Sequence, residues 1–414
     1  MTSIFHERFL PRVSFLAVAS ALSLMLAGCG SDPVIDPALA AAGRFPSEVP
    51  SGFALHDLGM MNTHAGVTED FTFHATEETR AFHVVGVSEP DTFVLLMRAV
   101  APDGTVIVNP DAPEGGGAIV NRYTAGFPGP FLSPNRAVPR PRAAATLIPN
   151  TPQIAMEPGD WSLRMGVFKI VYDDKASVYA NTGLDATVHV GIVERQIDPP
   201  VAGKIDLLLS FASDSSISAD DAPTHPTLQA ALKQVDESLG SVGVRVGTVT
   251  YQDISDIPDT IELSGPACLG GSGTEEIFDL APEPPPGVMH LIFSDRFHCE
   301  LSPDVDLGVA VGGISNGIPG IPFARRDGML VSTNLVDDYP GDWSRVVAHE
   351  LSHFLGLFHT CEGLTGVCDN IADTPEGAEA AANLMFPNVS ASTSQDLTPE
   401  QGMVLRLSPL VHPM

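Results

Sequence analysis

The sequence predicts an N-terminal all-β sandwich followed by an α/β (α+β) domain. Three observations predict it. Residues 51–195 are short apolar or alternating runs bounded by Gly, Pro and Asp, with no long helical period. Beyond the break at Asp198-Pro199-Pro200 the rhythm becomes mixed, in the order strand, helix, strand. A further helical segment at 342–358 carries histidines at helical spacing.

The elements follow in chain order. Residues 1–28 read as a targeting segment: Arg8 and Arg12 form a positive start, and Val13 to Gly28 is apolar and uncharged. That run falls short of the roughly 20 apolar residues of a comfortable membrane span. Residues 29–50, with Pro33, Pro37, Pro46 and Pro50, read as a tether. The sandwich is expected over 51–197. Its strands are Phe82 to Val87, Phe93 to Val100, Thr105 to Val108, Trp161 to Val167 and Ala186 to Val193. The Pro-rich stretch 129–152 reads as a long excursion. The second domain is expected over 203–414. Ile205 to Phe211 reads as a buried strand, and Thr227 to Leu239 as a helix with apolar Leu228, Ala231, Leu232, Val235 and Leu239. Val244 to Tyr251, Val288 to Phe293 and Met329 to Val331 are further strands. Helix 342–358 has Asp342 as its expected N-cap and Val347, Leu351 and Phe354 as its core stripe. Thr398-Pro399-Glu400-Gln401 opens a last helix, with Thr398 as N-cap, Pro at N1 and Gln at N3.

Composition excludes whole classes of partner. The 414 residues hold 21 Lys plus Arg against 51 Asp plus Glu, a net charge of −30. Nucleic acid and anionic lipid both demand clustered basic residues, so neither is expected as an electrostatic partner. The 44% hydrophobic content argues against disorder.

The five cysteines divide into one and four. Leu26-Ala27-Gly28-Cys29 resembles the lipobox of bacterial lipoproteins. The resemblance implies cleavage before Cys29 and a lipid on its sulfur, so that the membrane is met only through this anchor. Losing residues 1–28 would leave a charge of −31, since two Arg and one Glu depart. Gly30 after the lipidated cysteine, in place of Asp, points by the same resemblance to the outer membrane or cell surface. Cys268, Cys299, Cys361 and Cys368 form an even set in an exported chain and read as two disulfides. Three pairings are open. Cys361–Cys368, which closes a short loop, with Cys268–Cys299 is the favoured one.

The chemistry lies in residues 349–359, His-Glu-Leu-Ser-His-Phe-Leu-Gly-Leu-Phe-His. This is the full H-E-x-x-H-x-x-G-x-x-H pattern. In a random chain of this composition its five-residue core is expected about 0.02 times, and the whole on the order of 10⁻⁴ times. The spacing has a physical reason. Residues four apart share a helix face, so His349 and His353 address one point. Glu350 sits about 100° round from His349, in reach of a metal-bound water without ligating the metal. Gly356 lets the chain leave the helix through a conformation that a Cβ penalises, bringing His359 back as third ligand. Three protein ligands and one open position describe a catalytic Zn2+ site, not a structural one. The expected reaction is hydrolysis of peptide bonds by a zinc-activated water, with Glu350 as general base.

These residues resemble the metzincin zinc proteases. Leu355-Gly356-Leu357-Phe358-His359-Thr360, Asp369-Asn370-Ile371-Ala372-Asp373-Thr374-Pro375 and Thr398-Pro399-Glu400-Gln401 look like the pappalysin (cytophagalysin) branch. The resemblance spans about 205–410 and makes the second domain a metzincin-like zinc protease domain acting on peptides or proteins. It implies a Met-containing turn at Asn383-Leu384-Met385-Phe386-Pro387, with Met385 supporting the site by packing. It also implies calcium near Asp369 and Asp373, whose carboxylates suit a hard cation. The family's usual Tyr after the Met turn is absent, since Phe386 and Pro387 stand there. That departure supports the alternative expectation, a surface binding or adhesion lipoprotein with a degenerate protease domain. No Cys occurs in 30–267, which excludes a cysteine-based latency block there.

Overall fold

Two antiparallel sheets share a core in the N-terminal half of the computed structural model. The structure describes residues 45–414 except 47, 90–91, 112–127, 173–177, 182–183, 214, 265–273, 303–304, 310–312, 316–319, 334–339, 362–367 and 388–395. The lipobox with Cys29, most of the tether, Cys268 and the side chain of Cys299 lie outside the described residues. Among the described residues no helix is long and apolar enough to cross a membrane.

The first sheet runs β1 (Phe53–Asn62), β10 (Thr187–Arg195), β3 (Ala81–Ser88), β7 (Ala143–Ile148). The second runs β2 (Phe71–Ala75), β8 (Gly159–Tyr172), β4 (Phe93–Val100), β5 (Val106–Val108), with β6 (Arg140–Pro141) on β4 and β9 (Val178–Asn181) on β8. Phe82, Val84, Ala144, Val188, Val190 and Ile192 from the first sheet meet Leu95, Trp161, Leu163 and Met165 from the second in one cluster. Alternation of the pleat explains who faces whom. Val85, Val87, Ala143, Ala145 and Val193, one residue out of step, turn the other way and pack with Ile321 and Ala324. Ala81 and Leu147 join the core of the C-terminal half. The stretch 129–152, expected as an excursion, is therefore structural. It contains β7, which pairs with β3 from Phe82↔Ile148 to Val87↔Ala143. Its prolines flank the strand and leave the ladder positions Ala143–Ile148 free of them, so composition over the whole stretch hid it.

The C-terminal half is mixed α/β. Its main sheet runs β12 (Val244–Ile254), β11 (Gly203–Ala212), β14 (Val288–Ser294), β18 (Met329–Ser332), β17 (Gly313–Ser315), with β19 (His412–Pro413) on β11. The pairs β11–β12, β11–β14 and β14–β18 are parallel. A smaller sheet joins β13 (Thr260–Ser264), β15 (Arg296–Ser302) and β16 (Val305–Val309). Helix α1 (Pro226–Gly240) links the parallel pair β11–β12 and buries Leu228, Ala231, Leu232, Val235 and Leu239. A short α2 (Thr274–Leu280) precedes β14.

Helix α3 (Pro340–Phe354) lies over this sheet. Trp343 stacks on Phe293 at 5.8 Å, and Phe293 on Phe211 at 5.1 Å. Ser344 donates to Gln234 of α1 at 2.6 Å. Val347 and Leu351 are fully buried and Phe354 nearly so. The helix opens at Pro340, so Asp342 falls in its first turn and not at the N-cap. Proline suits the first helical position because its missing N–H would have had no partner there. Helix α4 (Pro399–Leu407) starts with a complete capping box: Thr398 accepts from the Gln401 N–H, and the Gln401 side chain accepts from the Thr398 N–H.

Candidate metal centre

The candidate metal centre is assembled from one helix and two turns. Helix α3 supplies His349 and His353, whose rings lie 4.5 Å apart in edge-to-face contact. The helix ends at Phe354. The Leu357 N–H reaches back to the Ser352 carbonyl at 3.0 Å and the Gly356 N–H to the His353 carbonyl at 2.9 Å. These two bonds form a Schellman cap with Gly356 at C′ and φ +118°. A side chain at Gly356 would also be obstructed, since a Cβ there would stand 2.7 Å from Leu147 Cδ2. The exit swings His359 back, to 5.3 Å from His349 and 4.7 Å from His353 between ring centroids. One nitrogen from each ring falls within 4.8 Å of the others. Among the described residues this is the one cluster of three or more potential ligands.

Backbone carbonyls decide the tautomers. His349 Nδ1 donates to the Leu384 carbonyl and His353 Nδ1 to the Leu357 carbonyl, each at 2.8 Å. A carbonyl only accepts, so the proton sits on Nδ1 and the Nε2 lone pair is left for a metal. Burial holds both rings neutral, helped by the neighbouring imidazoles: His349 is pushed down to about 3, and His353 well below its ordinary value. Neutral imidazole is the form that ligates. The residues present therefore fit a divalent metal of zinc's preference.

The turn at Asn383-Leu384-Met385 fastens this arrangement. The Leu384 carbonyl orients His349, and the Met385 carbonyl accepts from the Thr360 N–H at 2.9 Å, one residue beyond His359. Met385 itself is fully buried. Buried Asn383 donates to Gln401 Oε1 at 2.9 Å and accepts from the Met385 N–H at 2.9 Å. The cap of α4 and the Met-containing turn thus share one glutamine. Carbonyl orienters such as those of Leu357 and Leu384 leave no side-chain signature, so the motif could not reveal them.

Glu350 follows His349 on α3 and is half-buried. Cys361 and Cys368 are joined by a disulfide, just past the third histidine. The Cys268–Cys299 pairing lies outside the described residues. Asp369 and Asp373 do not gather into a ligand cluster among the described residues. Asp373 accepts from the Glu400 N–H at the start of α4 at 3.0 Å, and Asp369 from the Ile371 N–H at 3.2 Å. Burial raises Asp369 to about 7 despite the opposing charge of Arg136.

Arg136 is the residue that sequence reasoning missed. It is buried, donates to the Cys368 carbonyl, and lies over the rings of Phe131 and Phe358 at 4.9 and 5.9 Å. Nothing in the Pro-rich stretch around it marks it as part of the centre.

No family model matches this chain. A 77-residue segment is 38% identical to Extracellular metalloprotease 1 of Coccidioides posadasii (strain C735), covering 17% of this chain and 28% of that protein. The chain therefore matches less than a third of the length of this curated relative. Among solved structures, metalloproteinase-II from Bacteroides fragilis aligns at a TM-score of 0.33 and 12% identity, over 58% of this chain and 64% of that one. A superposition that loose adds no weight to the site. What stands is a metalloprotease-like segment in sequence and a histidine trio able to bind a metal.

Proposed function

We propose that this chain is a zinc-dependent endopeptidase of metzincin, pappalysin-like type, acting on peptides or proteins. The observation that carries it is the pair of buried, neutral histidines whose Nδ1 protons are committed to carbonyls, with His359 folded back beside them. His349, His353 and His359 would hold the zinc. When bound, zinc polarises a carbonyl oxygen and acidifies a water. Glu350 takes the water's proton on its carboxylate and passes it to the leaving amine. Met385 supports the site by packing, and Gly356 lets the chain leave the helix. In the same reading the two N-terminal sheets form a β-sandwich domain, and the second domain begins near residue 203. Cys29 carries the lipid that ties the exported chain to an outer membrane or cell surface. That part rests on the lipobox alone.

Zinc content and cleavage of an unfolded protein test the proposal, wild type against Glu350→Ala. Wild type is expected to bind about one zinc and to cleave, and Glu350→Ala to bind zinc and lose about 10²–10⁴ in rate. Wild type free of zinc, or equal cleavage by both, would sink it. Phe386-Pro387, standing where the family places a Tyr, favours the second reading, a binding lipoprotein. Zinc uptake without cleavage of any member of a peptide library would select that reading.

A further inference from the structure

We propose that segment 131–153 of the N-terminal half is a positioning clamp for the third ligand, so that this half is an integral part of the metal centre. The inference rests on the zinc reading above. Helix α3 fixes His349 and His353, whereas His359 sits on a chain that has already left the helix. Its order comes from what holds 356–361 and 368–373.

Six contacts between 131–153 and those residues converge there. Leu147 fills the space against Gly356, where even a Cβ would collide. Arg136 lies over Phe358, the neighbour of His359, and donates to the Cys368 carbonyl beyond the disulfide. Asn370 Nδ2 donates to the carbonyls of Ser133 and Pro134 at 2.8 and 3.1 Å. Thr151 donates to the Asn370 carbonyl at 2.6 Å. The clamp is itself braced. Asn135 donates to the Leu147 carbonyl at 3.1 Å and accepts from the Asn150 N–H at 2.9 Å, while Asn150 accepts from the Arg136 N–H at 3.1 Å. A buried guanidinium held this way is costly to place and specific in the partners to which it donates. Arg136 is thus a positioning residue, acting through Phe358 and the Cys368 carbonyl.

The test uses the full chain, with Zn2+ or Co2+ alone as probe. Metal affinity is measured by chelator competition, coordination by the visible spectrum of the cobalt form, and stability by melting of the metal-free chain. Arg136→Leu is expected to weaken metal binding by about 10-fold or more and to alter the cobalt spectrum. Arg136→Lys should recover part of both. The double variant Thr151→Val with Asn370→Ala should weaken binding in the same direction, and it carries the test if Arg136→Leu does not fold. Val94→Ala, in the core between the two N-terminal sheets, should lower the melting temperature while leaving affinity within about twofold. Clamp variants with wild-type affinity and spectrum would overturn the clamp alone. A wild-type chain that takes up neither zinc nor cobalt would overturn the zinc reading beneath it.

Discussion

The two N-terminal sheets bury their residues differently. Every residue of β3 and of β7 is buried. In the other sheet β2 alternates, and so does β8 from Trp161 to Met165. An alternating strand has one wet face, and a strand apolar throughout must be covered twice. What covers the outer face of the first sheet is the half with the histidine trio, through Ile321, Ala324 and the core that receives Ala81 and Leu147. Buried Arg195 adds a polar bolt, donating to the carbonyls of Ser408 and Val411 at 2.9 and 3.3 Å. The difference teaches that the half without the motif is built into the half that has it.

The sharpest way to break this comparison is to truncate one residue on each side of it. Leu147→Ala and Leu163→Ala should each cost about 2–5 kcal/mol in denaturant unfolding, because both side chains are fully buried. Only Leu147→Ala should also weaken zinc binding. Equal zinc affinity in the two variants would separate the first sheet from the site.

The next effect is a pH dependence. Asp369 titrates at about 7 in the fold against an ordinary value of 3.8, because burial disfavours its charged form. The folded state then holds a proton that the unfolded chain has released. Between about pH 4 and 7 stability should fall as pH rises, by up to about 1.4 kcal/mol per unit, and level off above. Asp369→Asn should flatten that slope in unfolding curves taken across the window. An unchanged slope would place the titration elsewhere.

Thr398→Ala removes the side-chain acceptor of the α4 capping box and should cost about 1 kcal/mol. Because Gln401 also holds Asn383 beneath the Met-containing turn, a small loss of zinc affinity should accompany it. A stability loss alone would limit the box to α4. The smallest effect belongs to the wet face of the second sheet. Arg164→Ala breaks a half-exposed pair with Asp70 at 2.7 Å and should shift stability by less than about 1 kcal/mol, with no change in metal binding. A larger shift would mean that this face is also covered.

Much of the centre was legible because its spacing is local. Four residues span just over one helical turn, so His349 and His353 had to share a face of α3. Gly356 marked the exit, and Thr398-Pro399-Glu400-Gln401 marked a cap whose bonds the fold contains. The start of α3 was misplaced because Asp342 is a good cap type, while Pro340 two residues earlier competes as a first-turn residue. Strand β7 was missed because the prolines around Ala143–Ile148 outweighed its six apolar or small residues in a reading by composition. The calcium expectation at Asp369 and Asp373 found no ligand cluster among the described residues, and their carboxylates accept from the backbone amides of Ile371 and Glu400.

The sequence by itself determined the histidine triplet, the alternation of β8 and the capped start of α4, because each depends on residues close to one another along the chain. Only the tertiary structure decided which carbonyls orient the histidines and which segment steadies His359. Leu384 lies 35 residues from His349, and Arg136 lies 232 from Cys368. Contacts at that separation follow from how whole layers pack, and no local pattern encodes them.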